Sequence, residues 1–298
     1  MSVEPAGVMA ALRGRKAPTQ WRDDGAPAPC RVAAPVPARR AWLAGALGLA
    51  VADMLPVGVL PVGGRRAWAG ASSPYGGTLP APPERVRIRF GVYYGSHVDG
   101  FQLAEVSYVF TSDGHRYEAS TAGQAVGPIA LVYGGVLSQR SSGLVSGDGL
   151  TPRRYAEKRG TRAERELLFE PEVGRVRFAR GDNGAWVPGV QDRLSFVWQL
   201  GLLARGFPEQ FAAGSEHRIP LASFSSIEPA RIVSEGVERL RDGARELSTL
   251  HVVRPPRSRR DEKIELWLDR HAQMRPVRIR ITDRNGRVLD HFRLSGER

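Results

Sequence analysis

The side chains in this sequence that could do chemistry are a handful of carboxylates and arginines and six histidines. Their spacing decides which chemistry stays open. Paired carboxylates carry glycoside hydrolysis, one as general acid and the other as base or nucleophile. Asp192, Glu265, Asp269 and Asp283 are available for it, but nothing in their spacing pairs them, and helix caps or surface ion pairs account for them more simply. Asp192 with Arg140 or Arg193 is the arrangement a hydrolase could draw on. Arg140, Arg153, Arg193, Arg278 and Arg280 could line an anion-binding face, or serve as the wet face of a sheet. None of the histidines (97, 115, 217, 251, 271 and 291) stands four residues from another or beside a cysteine, so no metal-ligand motif is present. No Gly-x-Ser-x-Gly elbow and no Gly-Lys-Ser/Thr phosphate loop occur. Gly147-Asp148-Gly149 lacks the third glycine of a dinucleotide loop and reads as a turn. Tyr93, Trp186 and Trp267 are too scattered among the basic residues for a nucleic-acid stacking platform. The sequence therefore predicts no catalytic residue, no metal and no cofactor.

The elements that must position these groups are mostly strands. Val86, Ile88, Phe90, Val92 and Tyr94 alternate with Arg87, Arg89, Gly91 and Tyr93, the period of a strand with one wet face. Segment 101–111 follows, then the hairpin dipeptide Asp113-Gly114, then 115–121. The apolar run 129–137 reads as a bulged strand or a short helical turn, and 138–149 (SQRSSGLVSGDG) as turn material. Further strands are predicted at 153–159, 165–170, 174–180, 217–221, 230–240, 246–254, 263–269, 276–282 and 287–294. Asn285-Gly286 closes the last pair as a tight hairpin, and 257–263 (RSRRDEK) is a charged loop tip.

One helix interrupts the strands, at 191–206 (QDRLSFVWQLGLLARG). Asp192 is placed to cap it, and Leu194, Val197, Trp198, Gly201 and Leu202 follow helical spacing. Gly206 and Pro208 end it. Phe196, Leu200 and Leu203 make it apolar on nearly every side, so it either sits in a core or lies over an apolar cavity. The fold expected is mainly β: a single curled antiparallel sheet, barrel or half-barrel, with one main apolar helix. A two-sheet sandwich is the alternative.

The chain of 298 residues has ordinary apolar and charged fractions, 42% and 25%, but a net charge of +12. The excess is arginine spread through strand-like segments, which suits weak attraction to anionic surfaces better than a nucleic-acid site. The single cysteine, Cys30, leaves the chain without an internal disulfide or a thiol nucleophile in its body. Residues 1–38 have the composition of a disordered extension. Arg39-Arg40 then precedes an apolar run, and Ala67-Trp68-Ala69 has the small-x-small form of a cleavage site. Segment 39–69 reads as an export signal, loosely twin-arginine, with an uncleaved membrane anchor as the alternative. Residues 70–83 read as a linker, and 84–298 as the β-rich domain.

Four segments now fall in order: Ser138-Gln139-Arg140-Ser141-Ser142-Gly143; Gly149-Leu150-Thr151-Pro152-Arg153-Arg154-Tyr155; Gln191-Asp192-Arg193-Leu194-Ser195; and Trp267-Leu268-Asp269 with Arg275-Pro276-Val277-Arg278-Ile279. Together they resemble an uncharacterised bacterial family, domain of unknown function 3108, over about residues 85–295. The sequence departs from that pattern at Asp269-Arg270-His271, where a Pro-Asp pair would follow Trp-Leu. The resemblance implies an exported, periplasmic protein and, at fold level, a likeness to open barrels that carry lipids or lipoproteins between two membranes. On this reading the chain binds an apolar or amphipathic ligand, a lipid for example, or an envelope protein, without catalysis. Arg140, Asp192, Arg193, Ser195, Trp198, Trp267 and Arg278 are its candidate ligand or structural residues. An envelope assembly factor acting through a sheet edge is the alternative.

Overall fold

A computed structural model describes residues 77–126, 137–259 and 261–294. The extension, the export signal, the first part of the linker and nearly all of the run 129–137 lie outside the described residues. The strands are β1 (Arg85–Tyr94), β2 (Phe101–Ser112), β3 (Arg116–Ala125), β4 (Leu137–Ser146), β5 (Gly149–Arg159), β6 (Arg165–Glu170), β7 (Arg175–Arg177) and β8 (Asn183–Ala185). The helix α1 (Ser195–Gly206) follows, then β9 (Glu216–Ala222), β10 (Ile227–Asp242), β11 (Arg245–Arg254), β12 (Lys263–Asp269), β13 (Arg275–Thr282) and β14 (Val288–Arg293).

All fourteen strands among the described residues belong to one antiparallel sheet, ordered β8 to β1, then β14 down to β9. The chain lays down eight strands, crosses by the helix to the far edge, and returns until β14 pairs with β1. Phe90 then faces Arg293 on one side and Val106 on the other. That junction makes one sheet where a sandwich would need two. The edges β8 and β9 do not pair with each other, so the curled sheet stays open.

The segment 138–149 is a correction to the sequence reading. It is not turn material but most of β4, with Gly147-Asp148 as the turn into β5. Its serines and Gln139 hid it, because a strand with polar residues on its buried face breaks the usual alternation. Gln139 and Ser141 point inward and are both buried, and their polarity is met by partners inside. Gly143 permits the bulge between β4 and β5, since a Cβ there would run into the Thr151 carbonyl.

The helix answers the question its sequence left open. Every residue from Ser195 to Ala204 is buried. Leu194, Leu200 and Ala204 have no exposed surface, and the Trp198 ring lies 4.8 Å from that of Phe110. The helix thus fills the concave side of the sheet, and its all-round apolarity is the signature of a core helix. It also takes in residues 77–83, the described end of the segment read as linker. Leu79 is buried and bonds the Gly147 carbonyl, and Arg205 donates to the Ala81 carbonyl.

At Gly201 the helix rests on the turn between β12 and β13, where a Cβ would stand 2.8 Å from the Met274 carbonyl oxygen. That turn holds Gln273 and Met274 at φ of 56° and 54°, the only positive-φ residues other than glycine among those described. Gly201→Ala gains roughly 1 kcal/mol of helix propensity. The forced separation costs more, about 1–3 kcal/mol. The substitution is therefore expected to lower stability, against the propensity rule, in a urea titration. An increase would show that the Met274 turn yields freely.

Candidate functional site

Three of the four motif segments meet at the helix entrance. The regular helix starts at Ser195, but the cap lies one turn earlier, as the sequence indicated. Asp192 Oδ1 accepts the backbone N–H groups of Leu194 (2.8 Å) and Ser195 (2.9 Å), and the Phe196 N–H bonds the Asp192 carbonyl. Asp192 Oδ2 accepts the Ser141 hydroxyl at 2.6 Å, and Ser141 in turn bonds the Tyr117 phenol. The Ser195 hydroxyl accepts the Asp192 N–H. Beside this, the Gln191 side chain donates to the Leu150 carbonyl. Gln199 accepts the Leu150 N–H and donates to the Asp148 carbonyl. Gly149 in this turn has φ of 97°, and Gln199 packs where its Cβ would be. The motif residues of β4, of the turn into β5 and of the helix entrance are therefore one clamp.

The clamp leaves Asp192 no room for acid–base work. Burial pushes its carboxyl above the ordinary value, against the hydrogen bonds from Ser141 and the backbone that favour the charged form. Both oxygens already accept. Arg140, one residue from Ser141 along β4, is exposed while Ser141 is buried, because successive strand residues point to opposite faces. Arg193 forms its ion pair with Glu157, not Asp192. The Asp192–arginine pair considered for hydrolysis does not form.

Glu157 is a centre that the sequence reading missed. It has no exposed side-chain surface, and it accepts from Arg159 (2.6 Å), Arg165 (2.9 Å) and Gln139 (3.0 Å). The Tyr155 hydroxyl approaches at 3.3 Å and the Arg193 guanidinium at 3.9 Å. Burial alone would raise its carboxyl, but the bonds from Arg159, Gln139 and Arg165 outweigh it and hold it at about 2. Its parity with the buried Tyr155 was the available signal. The arginines could not be assigned from sequence because β6 and the helix entrance bring two of them from a distance.

Trp267 and Arg278 lie elsewhere, on the outer face of the sheet. Trp267 donates its indole N–H to Glu238, stacks on His251 at 4.2 Å, and has the Arg278 guanidinium 4.6 Å from its ring centre. Arg278 reaches both oxygens of Asp290, which also accepts from Arg280 and from the backbone of His97. Burial would raise the Asp290 carboxyl, but Arg278 chiefly holds it down, at about 2. The departure from the family pattern at Asp269 is absorbed locally. Its carboxylate accepts the His271 N–H, and its carbonyl accepts those of Ala272 and Met274. Of the seven candidates, Asp192 and Ser195 touch, Arg193 turns to Glu157, Trp198 is core, Trp267 and Arg278 stack outside, and Arg140 is exposed.

The unclosed sheet leaves an apolar crevice of about 380 Å³ between its edges, lined by Phe178, Val187, Pro220, Ile227 and Pro229, with Glu228 as its charged residue. A larger hollow of about 680 Å³ at the β2–β3 turn is lined by Asp113, Arg116, Glu118 and Arg153 among others, and it is open with an even mix of polar and apolar surface. An apolar pit of about 210 Å³ sits at the helix C-terminus beside Phe211 and Met274. Small-molecule sites run from roughly 300 to 1,000 Å³ and are mainly apolar, which the seam alone of these three satisfies on both counts.

A family model described as "Protein of unknown function (DUF3108)" matches residues 89–291. No curated protein matches. Among solved structures, one similar chain is a beta-barrel-like protein of domain of unknown function DUF1849 from Brucella abortus. The identity is 10%, the TM-score 0.44, and the match covers 72% of this chain and 96% of that one. Another is a candidate outer membrane lipoprotein-sorting protein domain from Vibrio parahaemolyticus, at 9% identity and a TM-score of 0.22, covering 72% and 87%.

Proposed function

The chain belongs to the DUF3108 family, and from that premise we propose that it is an exported, non-catalytic binding protein of the bacterial envelope. It holds an apolar or amphipathic ligand, a lipid being the natural case, in the open seam of its curled sheet. The observation that carries this reading is the seam itself. The concave side is filled by α1, so a ligand must enter where β8 and β9 fail to close. The export signal read in the sequence supplies the location, and no helix among the described residues is long and apolar enough to cross a membrane. Asp192, the best acid–base candidate, is fully engaged as a cap, which supports binding over catalysis.

The edge-pairing alternative has less to work with. Pro220 in β9 offers no N–H, and its carbonyl already accepts from Gln191, which adds a one-residue parallel bridge along that edge. The edge strand β8 is three residues long.

Native mass spectrometry of protein purified from its own envelope is expected to show a co-purified lipid. A neutral fluorescent probe such as N-phenyl-1-naphthylamine reports the seam directly. Ile227→Asp puts a charge into the crevice and is expected to weaken the probe about tenfold or more, since an unpaired charge in an apolar site costs well over 1.4 kcal/mol. Equal probe affinity in a folded Ile227→Asp variant would rule the seam out.

A further inference from the structure

We infer that the Glu157 cluster is the receptor for the anionic headgroup of the bound ligand, a carboxylate or a phosphate. This rests on the seam reading and names the ligand class for it. Three guanidiniums, those of Arg159, Arg165 and Arg193, surround one carboxylate. Arg159 and Arg165 both bond Glu157 Oε1, and Oε2, the oxygen facing Arg193, already accepts from Gln139 and Tyr155. Arg193 is left with a carboxylate 3.9 Å away, although its side chain is only 6% exposed. One terminal nitrogen of Arg193 and one of Arg159 are buried without a hydrogen-bond partner. A buried guanidinium with donors unspent costs more than any ordinary polar group. What it lacks is an acceptor with negative charge, and bidentate recognition of carboxylate or phosphate is what a guanidinium fork does best.

The surroundings fit a headgroup better than a free ion. The Phe224 ring lies under Arg165 at 4.0 Å and 5.8 Å from the Arg193 guanidinium, and packs tilted against Tyr155 at 5.6 Å. Phe224 belongs to the β9–β10 turn, closed by the bonds between Ser223 and Ser226. That turn continues directly into Ser226, Ile227, Glu228 and Pro229, which line the seam. Phe224, the aromatic floor of the arginine cluster, thus stands two residues along the chain from Ser226 in the seam lining. Arg159 and Arg165 are part-exposed, 27% and 35%, so the cluster is open to an incoming acid on their side. Arg193 also belongs to the helix-entrance motif, where capping requires Asp192 but nothing requires an arginine next to it.

Competition against the neutral probe tests this with three amphiphiles of one chain length: dodecanoate, dodecyl phosphate and dodecanol. Both anions are expected to displace the probe about tenfold better than the alcohol, the value of one charge-assisted bidentate contact over a neutral one. The stronger of the two anions identifies the headgroup. Arg193→Gln is expected to bring the anions down to the level of dodecanol and leave dodecanol unchanged. Arg165→Gln, at a more exposed position, is expected to do the same in part, and it carries the test should Arg193→Gln not fold. Equal displacement by all three amphiphiles overturns the headgroup site while leaving the seam intact, and so does an anion preference that survives both substitutions. Inorganic phosphate that raises the melting temperature as much as the amphiphiles do overturns it too, by making the cluster a site for a free anion. Failure of all three to displace the probe overturns the seam reading beneath it.

Discussion

Asp192→Ala is expected to lower the free energy of unfolding by about 4 kcal/mol, while Asp192→Asn stays within about 1 kcal/mol of the parent. The alanine variant strands the N–H groups of Leu194 and Ser195 and the Ser141 hydroxyl, all of which Asp192 receives inside the protein. Each buried donor left unmatched costs about 1–3 kcal/mol, and they share one side chain, so the costs do not simply add. Asparagine keeps an oxygen for the two backbone donors. It also resembles the neutral carboxyl that burial favours at this position. The sign of the pH dependence follows. A carboxyl whose native value lies above the unfolded one gives its full stabilisation in acid and loses it as pH rises through the native value. The asparagine variant should lose that component and be relatively better at neutral pH. Urea titrations at pH 7 and pH 4.5, followed by far-ultraviolet circular dichroism, separate the two variants. Equal loss in both would mean that Asp192 acts by its charge and not as a cap.

The contrast between Asp192 and Glu157 shows which part of the molecule its sequence discloses. Asp192 was legible because capping is local: a carboxylate, two backbone groups within three residues and an apolar run behind them. The hairpins at Asp113-Gly114 and Asn285-Gly286 were legible for the same reason, and so was the strand β12, whose ends coincide with the predicted ones. Strand β4 was not, because its inward residues are Gln139 and Ser141. Their burial is tolerable only with Thr121 and Tyr117 of β3, Glu157 of β5 and Asp192 of the helix entrance as partners. The same holds for the site. The arginines of the Glu157 cluster come from β5, β6 and the helix entrance, and the seam exists only because two edges far apart in sequence approach without pairing. Local chemistry is written in spacing, whereas a long-range polar network is written only in the register of the sheet.

His291 sets the acid limit of the fold, in a window apart from that of the carboxylates. It lies in β14 opposite Ile279 of β13, buried, with neither ring nitrogen hydrogen-bonded. Burial pushes its pKa down to about 4, against a smaller pull upward from Asp290. In the unfolded chain the value is about 6.5. Because the native value is the lower one, the unfolded chain takes up a proton first as the medium is acidified. The His291 contribution is level above about pH 7, falls as the pH drops from about 6.5 to 4, and flattens below that. One proton taken up across that interval corresponds to about 3 kcal/mol in full and about 2 kcal/mol between pH 7 and pH 5. His97, part-exposed, and His217, buried, are both lowered chiefly by burial and add to the loss in the same direction. Glu157, Glu265 and Asp290, each held at about 2, begin to give up their stabilisation only as the pH falls through about 4.5, so they contribute little between pH 7 and pH 5. His291→Leu keeps an apolar volume opposite Ile279 and removes both unpartnered nitrogens. Chemical denaturation at pH 7, 6 and 5 is expected to show the leucine variant losing about 2 kcal/mol less than the parent between pH 7 and pH 5, a difference in which the opposing contribution of Asp192, common to both, cancels. A leucine variant with the parent's slope would assign the loss to His97 and His217.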